Sequence, residues 1–119
     1  MLRTMLLSKI HRARVTQRDL NYSGSITIDR KFLKESGMLP GEKVDVFNID
    51  NGNRFSTYII AGEENSGIIG INGAAARLVS IGDKIIIVNF GILNEQEIID
   101  HKPLIIVVED DKNSKYKIL

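Results

Sequence analysis

The sequence predicts an all-β protein, a small closed barrel of short strands carrying two or three short helices. Composition is the first indication. Of the 119 residues 43% are hydrophobic but only 6% are aromatic, and Trp is absent, so the core has to be built from Ile, Leu and Val, of which the β-branched Ile and Val favour strands. The second is punctuation, since the apolar runs are short and bounded by Gly, Asn, Asp or Pro. The third is an internal echo: Gly41-Glu42-Lys43-Val44-Asp45-Val46-Phe47-Asn48 recurs as Gly82-Asp83-Lys84-Ile85-Ile86-Ile87-Val88-Asn89, 41 residues on, each copy preceded by a strand-like run and a short helix. A solenoid needs about three or more repeats, so two copies point to one pseudo-symmetric closed unit. The length suits a single domain over residues 1–119.

Taken in order, Thr4 to Ala13 reads as the first strand and Ser25 to Ile28 as the second. Asp29 then caps a helix of about two turns, with Ile28 and Leu33 at staple positions and Gly37 followed by Pro40 ending it. Val44 to Asn48 and Arg54 to Ile60 are strands joined by an Asn51-Gly52 hairpin turn. Gly67 to Ile71 repeats the strand before the second helix, which starts at Asn72-Gly73 with Asn72 as cap, runs through Ala74 to Val79 and exits at Gly82. Ile85 to Phe90 and Leu104 to Val108 complete the strands, Glu95 to Asp100 is a further short helix, and the mixed-charge tail Glu109 to Leu119 reads as a solvated or disordered end.

Formal charge is +1, which gives no global field to attract nucleic acid or an anionic membrane. There is no cysteine, hence no disulfide and no thiolate chemistry; His11 and His101 are the only histidines, so no metal site is expected. Met1 to Arg14 is Arg-rich like a transit peptide, yet it lacks the apolar stretch of a secretory signal, and no run reaches transmembrane length. The expectation is a cytoplasmic protein. Residues 1 to 18 do carry Arg3, Lys9, Arg12, Arg14 and Arg18 with no acid, as an RNA-contacting strand might, but aromatic residues for stacking are missing from that stretch.

Three motifs in matching order carry a more specific reading: Tyr22-Ser23-Gly24-Ser25, Arg54-Phe55-Ser56-Thr57-Tyr58 and Asn72-Gly73-Ala74-Ala75-Ala76. Together they resemble the aspartate 1-decarboxylase family, in register from about Arg3 to Phe90 and fading from Gly91 onward. The resemblance implies a double-psi β-barrel, two interlocked copies of one strand-helix-strand unit, with the Gly-acid pairs Gly41-Glu42 and Gly82-Asp83 as its turn elements. It also implies that the chain cuts itself between Gly24 and Ser25, leaving a β chain of residues 1–24 and an α chain of residues 25–119 whose Ser25 has become a pyruvoyl group. That group would be the only cofactor, with no metal and no pyridoxal phosphate. It would form a Schiff base with L-aspartate, whose decarboxylation yields β-alanine and CO2 for pantothenate biosynthesis.

By the same resemblance Tyr58 is the proton donor, Thr57 assists the cleavage, Arg54 anchors a substrate carboxylate, and Asn72, Gly73, Ala74, Ala75, Lys9, His11 and Tyr22 line the site. Members of the family form tetramers with sites at subunit interfaces, here a heterooctamer of four α and four β chains after cleavage. Chemistry supports several of these roles independently. Carbanion chemistry at an α-carbon needs a covalent electron sink that no unmodified side chain provides. A planar guanidinium suits a carboxylate, and glycine before the serine leaves the attacked carbonyl unshielded. Taken alone, Gly24-Ser25 is an ordinary flexible turn and Lys9 and His11 are solvated or packed side chains. In an extended segment Arg54 and Tyr58 share a face that Thr57 does not. The strongest alternative is the nucleic-acid-binding module suggested by residues 1 to 18, and a second is a homologue that stays whole and binds amino acids without turnover.

Overall fold

The computed structural model describes residues 1–119. Nine strands and three short helices run in the order β1 (Arg3–Arg14), β2 (Gln17–Asp19), β3 (Ser25–Asp29), α1 (Arg30–Ser36), β4 (Lys43–Asn48), β5 (Arg54–Gly62), β6 (Ile69–Asn72), a 3-10 helix (Gly73–Leu78), β7 (Lys84–Leu93), α2 (Glu95–Ile99), β8 (Leu104–Val108) and β9 (Tyr116–Ile118). Hydrogen bonding links them as β2-β6-β3-β5-β4-β7-β1-β8-β9. Because β1 and β2 are two stretches of one bent strand, the row from β2 to β1 closes on itself, and β8 and β9 lie outside the closure.

The double-psi topology follows from contacts that repeat between the two copies. In the antiparallel pairs β3·β6 and β4·β7, Ile28 faces Ile69 and Val46 faces Ile87, each residue paired with its own counterpart 41 positions on, so a local two-fold relates the copies at both crossings. The turns interlock in the same way. Asn89 Nδ2 donates to Glu42 Oε2 at 2.8 Å and Asn48 Nδ2 donates to Asp83 Oδ2 at 2.8 Å, so the acid of each copy is held by an asparagine of the other. Each acid also accepts the amide three residues before it, Leu39 N–H at 3.0 Å and Ser80 N–H at 2.9 Å. The bond pair Ile59 N–H to Glu42 O and Gly41 N–H to Ile59 O is repeated as Val15 N–H to Asp83 O and Gly82 N–H to Val15 O. Against this frame one difference stands out: the path from Val15 to Ile28 is three residues longer than that from Ile59 to Ile69, and the excess falls in the turn before Ser25.

Inward-facing aliphatics fill the barrel, among them Ile10, Ile26, Ile28, Val46, Ile59, Ile69, Ile71, Ile85 and Ile87, with Phe32 and Leu33 of α1 against one end. Burial of each such side chain stabilises the fold by about 1.5–3 kcal/mol. Helix α1 begins as expected: Asp29 accepts Lys31 N–H at 2.8 Å, and Gly37 closes the helix in the left-handed region. Asp29 does more than cap. Fully buried, it also accepts Asn65 N–H at 2.9 Å and Gly67 N–H at 2.7 Å, tying the second copy's loop to the first copy's helix.

Two expectations are corrected, and one strand is new. The second helix, a 3-10 helix that starts at Gly73 as expected, is not capped by the Asn72 side chain, which points instead at Ser25 and Thr27. The tail is ordered: Asn113 is fully buried, its amide bonded to the Arg14 main chain and to Gly67 O, and β9 pairs with β8. Strand β2, too short and polar to be read from its residues, pairs in parallel with β6.

Candidate active site

Ser25 opens β3 with 0% of its surface exposed. Its Oγ accepts a hydrogen bond from Asn72 Nδ2 at 2.9 Å, while its own proton has only a long contact, 3.5 Å, to Ser23 O. Asn72 faces Ser25 across β3·β6, and the second proton of its amide goes to Thr27 Oγ1 at 3.2 Å. Two hydroxyl acceptors thereby fix the asparagine, and the asparagine fixes the serine rotamer. Sequence reasoning missed Thr27. The signal was its position two residues after Ser25, on the same face of the strand.

The φ of Gly24 is not positive, and beyond its two chain neighbours a β-carbon there would meet nothing within 4 Å. Close approach falls on Gly73, across the turn, where a β-carbon would stand 2.7 Å from Gly24 Cα.

Strand β5 runs parallel to β3 with Ile26 level with Ile59, so Tyr58 lies beside Ser25 with both side chains turned away from the core. Tyr58 is 43% exposed. Thr57, the residue before Tyr58, is on the inward face; β5 neither bends nor ends there, its pairing with β4 being unbroken from Arg54 to Tyr58. Tyr22 is exposed on the turn, Gly73 is buried, Ala74 is exposed and Ala75 packs against the core.

Arg54, Lys9 and His11 are not gathered around Ser25. They lie on the outer face of β5-β4-β7-β1, where one cross-strand row reads Arg54, Phe47, Ile86, His11 and the next reads Ser56, Asp45, Val88, Lys9. Three strand spacings separate Arg54 from His11, about 14 Å. The Arg54 guanidinium rests 3.8 Å from the Phe47 ring centroid, a cation–π contact that presents its edge outward and gives Phe47 a role the sequence did not suggest. A cavity of about 250 Å³ opens on this face, lined by Thr4, Lys43, Val44, Asp45, Val88 and Phe90, away from Ser25. Burial, then the charges of Lys9 and Arg12, hold the His11 pKa below its ordinary value, favouring the neutral ring. The basic residues of β1 do not form one stripe, because the chain bulges at Arg12, φ 68°, and Arg14 is partly buried.

A family profile for aspartate decarboxylase matches residues 1–115. The chain belongs to the aspartate decarboxylase family. Among curated relatives it is similar to the aspartate 1-decarboxylases of Staphylococcus aureus strains JH9 and Newman, each 55% identical over 111 residues that make up 93% of this chain and 87% of the relative. Among solved structures it is similar to the rationally designed mkDPBB_sym_86 protein, at 14% identity and a TM-score of 0.49, over 65% of this chain and 90% of that one. For this member of the family, no helix is long and apolar enough to cross a membrane, and no three His, Cys, Asp or Glu side chains cluster.

Proposed function

We propose that this chain decarboxylates L-aspartate to β-alanine and CO2, supplying pantothenate biosynthesis in the cytoplasm, after cutting itself between Gly24 and Ser25. Membership of the aspartate decarboxylase family supports the reaction. The observation that carries the self-cleavage is Ser25 itself: a buried hydroxyl directly after glycine, held in one rotamer by a buried amide, with its proton not committed to a short bond.

In the cleavage, Ser25 Oγ attacks the Gly24 carbonyl carbon. The Oγ–C bond forms, the C–N bond breaks, and the hydroxyl proton passes to the Ser25 nitrogen, leaving an ester. Loss of the Ser25 α-proton then expels the Gly24 carboxylate and leaves a dehydroalanine, which water converts to a terminal pyruvoyl group with release of ammonia. Thr57 is the donor proposed for the developing oxyanion. The residues fit the group: Asn72 and Tyr58 flank residue 25, and departure of the residue 24 end opens the buried position to substrate.

When formed, the pyruvoyl ketone supplies the electron sink that aspartate decarboxylation requires. The chain's own residues bind and protonate. Arg54, its edge free above Phe47, pairs with a substrate carboxylate; the Tyr58 phenol, beside residue 25, returns the proton to the α-carbon; Gly73, Ala74 and Ala75 present small surfaces and backbone amides to the substrate, and Tyr22 covers it. Lys9 and His11 lie on β1, several strands around the barrel from β3, and Arg54 lies four residues along β5 from Tyr58, which supports a site completed by a second copy and the tetramer of cleaved chains. Intact mass tests the reading directly. Two fragments, residues 1–24 and 25–119 with an altered first residue, together with β-alanine formation from aspartate, are expected; Ser25→Ala stays one inactive chain. A parent protein that remains whole and inert toward aspartate overturns it.

A further inference from the structure

The turn that carries the Gly24–Ser25 bond is seated on a single backbone position. Gly73 takes φ +76°, and a β-carbon there would stand 2.7 Å from Gly24 Cα, 2.8 Å from Gly24 N and 3.1 Å from Tyr22 O. All three are main-chain atoms, which cannot swing aside as a flexible side chain can. We propose that Gly73 is a positioning residue for the self-cleavage step: its missing side chain lets the Tyr22–Gly24 turn lie directly on the start of the 3-10 helix, and that seat holds the Gly24 carbonyl carbon against Ser25 Oγ. The inference rests on the self-cleaving reading above.

Two features of the fold explain why the seat falls here. The turn is where the first copy exceeds the second by three residues, so the repeated frame contains no counterpart that would hold it. On the other side, Asn72 is locked by two hydroxyl groups, so the Gly73 main chain that follows it is a fixed base rather than a yielding one. Carbon atoms in contact sit about 3.5–4.0 Å apart, so a methyl group at residue 73 displaces Gly24 by about 1 Å. A misplacement of that size costs about 100-fold in a reaction that depends on near-attack geometry.

The test compares Gly73→Ala with Gly82→Ala. Gly82 has φ +92° and open space around its β-position, so its variant carries the backbone strain of alanine at positive φ without the contact. Cleavage is followed by intact mass from freshly purified precursor, and folding by circular dichroism and thermal unfolding. The expected result is that both variants fold with similar midpoints, Gly82→Ala is cut at the parent rate, and Gly73→Ala is cut about 100-fold more slowly. Folded Gly73→Ala cut at the rate of Gly82→Ala overturns the inference while leaving the enzymatic reading intact; a parent that never cuts overturns both. Should Gly73→Ala fail to fold, a glycine inserted between Asn21 and Tyr22 releases the turn from its seat without touching residue 73. That insertion lies in exposed chain, is expected to fold and to slow cleavage at least 10-fold, and counts against the proposal if cleavage keeps the parent rate.

Discussion

Replacing Asn72 with alanine separates two things its side chain does. The amide donates to Ser25 Oγ at 2.9 Å and to Thr27 Oγ1 at 3.2 Å from a site that is 8% exposed. Each neutral hydrogen bond is worth about 1 kcal/mol net, so Asn72→Ala loses about 2 kcal/mol of stability, or roughly 8 °C in midpoint for a domain of this size. The cleavage rate depends chiefly on the first bond. Without it, Ser25 keeps the 3.5 Å contact to Ser23 O and its hydroxyl samples other rotamers, which at about 1.4 kcal/mol slows attack about 10-fold. Thr27→Val is the control, because it removes the second bond and retains the first: about 1 kcal/mol of stability is lost and cleavage slows less than 3-fold. Intact-mass time courses at a temperature where all three proteins are folded give the rates. If Thr27→Val slows cleavage as much as Asn72→Ala does, the amide acts through general packing, and the assignment of its bond to Ser25 as the orienting contact fails.

Arg54→Lys keeps the charge but loses the planar fork and the stacking on Phe47; kcat/KM for aspartate falls about 30-fold, for about 2 kcal/mol, with KM rising. A change under 3-fold places the substrate carboxylate elsewhere. Because the folded-state pKa of His11 lies below its ordinary value of 6.5, the unfolded chain takes up the proton first on acidification, so stability is fully present above pH 6.5 and falls as pH drops from there through the folded value. His11→Gln removes that slope in urea unfolding measured between pH 7.5 and 5; parallel curves for variant and parent refute the burial argument. Asn113→Ala strips three hydrogen bonds from a fully buried position, about 3 kcal/mol. Its cost is expected to be larger in cleaved protein than in the Ser25→Ala background, where residues 1–24 remain tethered, and equal costs in the two backgrounds contradict a holding role for the tail.

The fold was legible where side chains announce it. The echo between Gly41-Glu42 and Gly82-Asp83 held because both acids serve the same local purpose, receiving an amide three residues back and an asparagine from the other copy. Asp29 and Gly37 bounded α1 for reasons any helix terminus shares. What the residues did not announce was long-range. Asn72 precedes a helix, as a cap would, but the hydroxyls of Ser25 and Thr27 across the β3·β6 ladder compete for its amide and take it. Asn113 sits among charged residues that look solvated, and only the fold brings the Arg14 main chain to it. Strand alternation put Arg54 and Tyr58 on one face of β5 and Thr57 on the other, as observed, whereas the close approach at Gly73 was not legible because it depends on which two turns meet.

The repeated frame also accounts for how the chain would remain a barrel after the proposed cut. The bond lies within the three-residue excess of the first copy, outside every hydrogen bond the copies share, so breaking it removes nothing from the interlock. The residue 41 positions after Ser25 is Ser66, which spends its hydroxyl on Glu63 O at 2.6 Å inside a tight turn, so the second copy keeps the serine without the loop that would expose a carbonyl to it. On either side of the proposed cut, β2 and β3 are both bonded to β6, the one in parallel through Gln17 to Asp19 and the other antiparallel through Ser25 to Ile28. Strand β6 therefore splints the two new ends. With β1 also paired to β7 and β8, residues 1–24 are held by three strands that stay continuous with residue 119, and cleavage opens the chain beside Ser25 without opening the core beneath it.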